Sequence, residues 1–286
     1  MKTHQSRPPK RRPVLYAVDG NWYLHRIFHT QFESPDKGYH IAKRLVAIVC
    51  KDALAVKASR IVVAFDGARL FRYKIYPEYK ANRVRNAGES PYDYLGRVIE
   101  AFAECGIPTV QISKHEADDV LCSVATQYRD TYDVYVGCRD KDAHQYVTDG
   151  VFLYDSSAKP EPRVIGSKAP YLTIKDITGM SPRQFLAHQL LTGDKVDNIP
   201  MLMAVAKAKK GLIKHGSFQN WKSQDADFAE FVRENAEALR LNRKLVELVT
   251  DIDIDVPAIK WNNDRKLPMP YQALKAYNNP LSKGLF

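Results

Sequence analysis

Four short β-type runs, Val14–Val18, Ile61–Phe65, Thr109–Ile112 and Val134–Gly137, each lead into acidic residues. The runs are continuously apolar rather than alternating, which is the pattern of strands buried on both faces. Helical patterns at Ile41–Lys57, Tyr92–Glu104 and Ala117–Tyr128 separate them. This order predicts an α/β fold built on a doubly wound, mostly parallel sheet, with Val151–Tyr154 as a further strand. Ser156, Ser157 and three prolines make Asp155–Pro170 a long loop in this reading. Beyond it the pattern is helical. Ser181 and Pro182 are good N-cap and N1 residues for a helix to Leu191, and one longer amphipathic pattern spans about Phe228–Val249.

The acids follow from that topology. The runs deliver Asp19, Asp66, the group Glu116, Asp118 and Asp119, and the pair Asp140 and Asp142. In an open parallel sheet the carboxyl ends of the strands share one edge, where ligands bind. Singly, Asp19-Gly20 and Asp66-Gly67 are ordinary turn dipeptides, and acids opening a helix need no function. Together they would repel one another unless a cation neutralised them. Hard divalent ions take oxygen ligands and keep waters, and the surplus of acids points to two metals. Asp194 and Asp197, in the loop ending the Ser181 helix, bring the set to nine. Zinc is not expected, because no His/Cys cluster has ligand spacing.

Composition sharpens the contrast. Lys and Arg number 43 against 33 acids; without these nine, the 43 stand against 24. A strongly basic body holding an acidic pocket fits a polyanionic partner and a bound metal. No apolar run exceeds six residues, so no membrane-spanning helix is expected. The four cysteines lie 55, 17 and 16 residues apart and read as reduced thiols in a cytoplasmic protein. Residues 1–13 read as a flexible basic tail, 14–175 as the α/β domain and 176–286 as a helical region.

Two basic stretches stand out. Arg69–Arg85 interleaves Arg72, Lys74, Lys80, Arg83 and Arg85 with Phe71, Tyr73, Tyr76 and Tyr79, which suits single-stranded nucleic acid. Lys207, Lys209, Lys210 and Lys214 suit duplex phosphates, with a solvated helix face as the competing reading.

With Val18-Asp19-Gly-Asn21, Phe65-Asp66-Gly67, Tyr79-Lys80-Ala-Asn-Arg83, Glu116-Ala-Asp118-Asp119, Asp140-Lys-Asp142 and Gly193-Asp194-Lys-Val-Asp197-Asn-Ile-Pro200 in this order, the chain resembles the 5′-nuclease (flap endonuclease) family. That family includes phage 5′ exonucleases and the nuclease domain of bacterial DNA polymerase I. The resemblance covers about Val14–Pro200. It implies a PIN-like core with a short helical arch and a C-terminal helix-three-turn-helix region gripping duplex. It further implies two-metal hydrolysis of phosphodiesters near 5′ ends, with Mg²⁺ or Mn²⁺. Asp19, Asp66, Glu116, Asp118 and Asp119 match the first metal cluster, and Asp140, Asp142, Asp194 and Asp197 the second. Lys80 and Arg83 match the basic residues that stabilise phosphate charge, and Tyr79 is placed to stack on a terminal base. Where the family has Gly-x-Gly after Pro200, this chain has Ala204 and Ala206. Alanine resists positive φ and adds a methyl where phosphate approaches, so tight duplex binding and a K⁺ site do not carry over with the resemblance.

The expectation is a monomeric, phage-encoded 5′-3′ exonuclease or flap endonuclease of DNA replication, working in the host cytoplasm. Its substrates would be DNA 5′ flaps or 5′ ends and RNA:DNA hybrids. A replication polymerase or single-strand-binding protein would be its partner. The competing readings are a non-catalytic nucleic-acid binder on the same fold and a PIN-type ribonuclease. A haloacid-dehalogenase phosphatase is set aside because Asn21 stands where its second aspartate belongs.

Overall fold

Successive residues of the first strand bury on opposite sides of a sheet, Leu15 and Ala17 in one apolar cluster, Tyr16 and Val18 in the other. This is why the runs carry no polar alternation. The structure is a computed structural model describing residues 12–30, 36–83 and 88–259. In the α/β part the order is β1 (Val14–Asp19), α1 (Gly20–Phe28), α2 (Lys37–Ala55), β2 (Ala58–Phe65), α3 (Phe71–Ile75), α4 (Leu95–Glu104), β3 (Thr109–Gln111), α5 (Ala117–Tyr128), β4 (Asp133–Gly137), β5 (Val151–Asp155), β6 (Arg163–Gly166) and β7 (Leu172–Thr173). The sheet order is β3-β2-β1-β4-β5-β6-β7. All neighbours pair in parallel except β5 with β6. Helices α1, α2 and α4 cover one face, and α5 covers the other.

The sheet therefore reaches into the expected loop after Asp155. Val164 and Ile165 pair with Tyr154 and Leu153. Strands of four and two residues, next to several prolines, are too short to show a period; pairing with β5 defines β6, and pairing with β6 defines β7.

The helical region contains α6 (Ile174–Thr178), α7 (Pro182–Thr192), α8 (Val205–His215), α9 (Phe218–Gln224), α10 (Ala226–Glu234) and α11 (Ala236–Val246). Ser181 caps α7 as the sequence requires, closing a reciprocal capping box with Gln184. The single pattern expected over Phe228–Val249 is two helices broken at Asn235. Its chain then leaves the helical region. Ser123 of α5 donates to Val249 O and accepts from the Ile252 amide, Tyr128 OH accepts from the Val256 amide, and Ile259 N donates to Ser59 O. Residues 248–259 are thus a strap returning to the α/β core, not part of a helical unit running from 176. At the other end Arg12 lies 3.6 Å from Asp133, and Pro13 O accepts the Asp133 amide. The last two residues of the expected flexible tail are therefore fastened to the core. Residues 1–11 and 260–286 lie outside the described residues.

Helix α8 is held by aromatic packing. Trp221 stacks on Phe228 with ring centroids 3.7 Å apart, and a methyl at Gly211 would stand 2.1 Å from the Trp221 ring. Gly211→Ala is therefore expected to cost about 1–3 kcal/mol by overpacking. Thermal unfolding with tryptophan fluorescence checks it; an unchanged melting temperature would contradict this close approach.

Candidate active site

The strand topology brings the acids to one edge, as the sequence requires. Asp19 ends β1 and caps α1, its Oδ1 accepting the Trp22 amide at 3.0 Å. Asp66, just past β2, accepts the Ala117 amide at 2.8 Å, which fastens it to the start of α5. Asp140, beyond β4, accepts the Asp142 amide at 2.8 Å, and Gln189 of α7 donates to Asp142.

These acids divide into two sets. Among the described residues no ion pair reaches Asp19, Asp66, Asp118, Asp140 or Asp142, while Glu116, Asp119, Asp194 and Asp197 each hold a cation. The first set repels itself. Burial, opposed by the Trp22 amide and reinforced by Asp66 and Asp140, pushes Asp19 up to about 7. Burial and then Asp140 push Asp142 up to about 7. Burial, followed by the charges of Asp140, Asp19 and Asp142, lifts Asp118 well above the carboxylate range, and burial raises Asp66 against the pull of the Ala117 amide. Oδ1 of Asp118 is buried with no hydrogen-bond partner.

This donor set fits hard divalent cations: carboxylate oxygens only, one of them an orphaned buried acceptor, with Lys80 and Arg83 acting on Asp66 and Lys141 on Asp142 without closing an ion pair. Among the described residues no three His, Cys, Asp or Glu side chains are placed to hold a metal ion together. Mg²⁺ needs no such trio, since it retains waters and uses one or two carboxylates.

The second set forms the walls. Arg72 forks onto Asp119 at 2.6 and 2.8 Å, reaches Glu116 at 2.9 Å and donates to Leu245 O at 2.9 Å at the end of α11. Arg72 is 1% exposed and Asp119 0%. This corrects two expectations. Arg72 is a buried tie, not a nucleic-acid contact. Asp119, whose oxygens also accept the Val249 and Glu116 amides, is committed to that tie rather than open to the first metal. Tyr79 is 3% exposed and gives its hydroxyl to Glu116 at 3.0 Å. Its ring packs with Leu190, Ile199, Leu245 and Val246, so it cannot stack on a terminal base.

Two of the sequence motifs interlock here. The Lys80 amide donates to Asp197 O at 2.8 Å, Asn82 donates to Lys195 O and Asn198 Oδ1, and Asn198 donates to Glu78 O. Arg83 meets Asp197 Oδ1 at 2.6 Å, Lys80 pairs with Glu116, and Lys141 pairs with Asp194 at 2.6 Å. Lys80 takes φ 56°, a conformation that costs a non-glycine residue energy and recurs at functional sites. Gly193 is required where the second motif folds back, since a Cβ there would lie 2.3 Å from Ile199 O and Pro200 O. A cleft of about 710 Å³ opens beside this junction, lined by Lys141, Gln189, Asp194 and Val205 among others.

Of the remaining expected contacts, Lys74 is exposed on α3, and Lys207, Lys209, Lys210 and Lys214 are exposed on α8. Arg85 lies outside the described residues, and the arch is represented by α3 and the turns through Arg83. Ala204 sits at φ −60° as N-cap of α8, and Ala206 is inside that helix. Neither needs positive φ, so the backbone objection to alanine falls away. The sequence reading missed Tyr92, Lys141 and Gln189. Tyr92 is 45% exposed, and its hydroxyl feels Asp66, Lys80, Arg83 and Asp19 after burial, rising to about 12. Lys141, between two motif acids, was within reach of sequence reasoning; Tyr92 and Gln189 are brought in by tertiary packing alone.

Residues 14–172 match the model of the 5′-3′ exonuclease N-terminal resolvase-like domain. The chain belongs to the 5′-3′ exonuclease family. It is 31% identical over 255 residues to a 5′-3′ exonuclease of Aquifex aeolicus, covering 85% of this chain and 84% of that protein. It is 28% identical over 270 residues to DNA polymerase I of Rhizobium leguminosarum, covering 86% of this chain but only 26% of the polymerase. In fold it is similar to the bacteriophage T5 D15 flap endonuclease, solved as a pseudo-enzyme–product complex with DNA and metal ions. The TM-score is 0.66 at 22% identity, over 82% of this chain and 89% of that one. The matched span contains the strand-end acids from Asp19 to Asp142, while Asp194 and Asp197 lie beyond it.

The sign of the pH dependence follows. Asp19 and Asp142 titrate near 7 in the fold against a usual 3.8. The folded metal-free protein therefore binds more protons than the unfolded chain between about pH 4 and 7, and their stabilising contribution is lost as pH rises through 7. Added Mg²⁺ should reverse this loss and release protons on binding near neutral pH. Thermal unfolding from pH 5 to 8, with and without Mg²⁺, and calorimetry in buffers of different ionisation enthalpy check both; a flat metal-free profile would contradict the assignment.

Proposed function

We propose that the chain is a structure-selective 5′-3′ exonuclease and flap endonuclease that hydrolyses DNA near 5′ ends with two divalent metal ions. The observation that carries this reading is the set of five carboxylates without an ion pair among the described residues, four of them buried or half-buried and Asp140 exposed, bordered by Lys80 and Arg83. One ion would draw one or two ligands from Asp19, Asp66 and Asp118 and the other from Asp140 and Asp142, the remaining acids acting through retained waters, with Asp194 orienting the second group through Lys141. Bound there, the ions would supply Lewis-acid stabilisation of the phosphate and activation of water.

The chain's own residues do the rest. Burial disfavours the charge on Lys80, but Glu116 and Asp197 outweigh it and raise its pKa. Arg83 is likewise raised by Asp197 against burial. Both stay cationic at neutral pH, so they offer positive charge to a phosphate rather than serving as bases. Exposed Tyr92, beside the acidic edge, is placed to meet a nucleobase. The lysines of α8 hold duplex phosphates without reading sequence. RNA:DNA hybrids belong among the substrates because this arrangement addresses phosphates rather than sugars. No described helix is long and apolar enough to cross a membrane; work on replicating DNA in a bacterial host would be done in the cytoplasm.

Single-turnover cleavage of a duplex with a labelled 5′ flap tests the reading, with Mg²⁺ and with EDTA, beside an RNA:DNA hybrid. Metal-dependent cutting near the junction is expected. Asp118→Asn should abolish cutting while leaving flap binding intact or tighter, since it removes a repelling charge. Lys80→Ala should lower kcat by about 10²–10³-fold with little change in binding. Tight binding without cutting at any divalent ion would instead make the protein a non-catalytic binder.

A further inference from the structure

Helix α7 has two working faces. Phe185, His188, Gln189 and Thr192 line the cleft beside the acidic edge. Arg183, Leu186, Ala187 and Leu190, on the opposite face by helical spacing, line a second groove of about 750 Å³. Phe218 of α9, Val232 of α10 and Leu239 of α11 complete its apolar floor, and these side chains are half-buried rather than sealed into the core. None of the α8 lysines and none of the strand-end acids lines it.

The rim is basic. Arg183, Arg240 and Arg243 border the groove and are exposed. Among the described residues Arg183 and Arg240 form no ion pair. Arg243 has only a 3.8 Å contact with Glu247, both side chains more than half exposed, an arrangement worth little in water. Arg240 and Arg243 stand one turn apart on α11, so carboxylates one turn apart on a partner would meet both. A second hollow of about 560 Å³ shares Ser181, Arg183 and Leu186 with the first and adds Arg129 and Glu247.

We propose that this groove docks an acidic amphipathic helical segment of a partner protein, apolar side chains on the floor and carboxylates on the arginines. The size suits this: pockets of about 300–1,000 Å³ bury small ligands, room for a few anchoring side chains rather than a folded domain. The mode is helix-in-groove recognition with anchors at i, i+3, i+4 and i+7. Charge excludes the nearest alternative within the chain, because residues 260–286 carry five Lys and Arg against one Asp and would be repelled by the rim. The aliphatic floor excludes single-stranded nucleic acid, which needs exposed ring faces; Phe218 is already packed edge-on against Phe228 at 5.2 Å.

The test uses the full chain and a labelled synthetic helical peptide with Leu at i, i+3, i+4 and i+7 flanked by Glu, read by fluorescence anisotropy. The patterned peptide should bind at least 10-fold more tightly than a scrambled peptide of the same composition. Arg240→Glu with Arg243→Glu should weaken it at least 10-fold, with melting temperature and flap cleavage unchanged. A peptide with Lys in place of Glu should regain affinity for that variant. Bound peptide should remain when flap DNA is added. Equal affinity for patterned and scrambled peptides would overturn the proposal by showing only attraction of any polyanion, and competitive displacement by DNA would overturn it by making the groove a nucleic-acid surface.

Discussion

The fork of Arg72 onto Asp119 is the contact on which the acidic edge depends. One guanidinium, fully buried, neutralises Asp119 and Glu116 and caps the end of α11 through Leu245 O. It joins three pieces of chain that are remote in sequence: the basic segment, the start of α5 and the last helix. A buried pair of this kind adds little net stability compared with an apolar replacement, but leaving one partner unmatched costs about 3–5 kcal/mol. Its value lies in position. With Asp119 and Glu116 held as walls, the neighbouring Asp118 is left turned into the pocket with an unpartnered oxygen.

The same logic runs through the whole site. A chain with a net charge of +10 could have neutralised all nine acids from its own surplus of bases. It pairs four directly, and those four anchor loops; the five without an ion pair among the described residues converge at the end of the parallel strands. Lys80, Arg83 and Lys141 each sit on an anchoring acid, so the cations are fixed around the pocket without filling it. Burial then does what distance alone would not, raising Asp19, Asp118 and Asp142 together.

Much of this was legible in the sequence because strand-end acids depend only on where strands end. β1 to β5, α5 and the capped α7 follow from continuous apolar runs and a Ser-Pro start, and the gathering of acids follows from parallel pairing. Which acids are walls and which face the pocket was not legible. Asp118 and Asp119 are adjacent and chemically identical, and only the approach of Arg72 from α3 separates them. Tyr79 was misread for a related reason. Interleaved bases and rings look like a nucleic-acid surface, yet the ring fills a gap against Leu190, Leu245 and Val246, which the sequence places more than a hundred residues away. Strands β6 and β7 escaped because each is decided by the strand beside it, and the break at Asn235 because its mark is a single cap, the Asn235 side chain donating to Phe231 O.

The strap of residues 248–259 alters the standing of the helical region. Because the chain leaves the sheet at β7 and comes back to lie on α5 and beside β2, residues 174–247 form an excursion with both ends rooted in one body. Its closure entropy is shared with the α/β core rather than left to a free terminus. Force or heat applied to the helices is therefore delivered to α5, which carries Asp118, and to β2, which leads to Asp66. Loosening of the helices and loss of the acidic edge become one cooperative event.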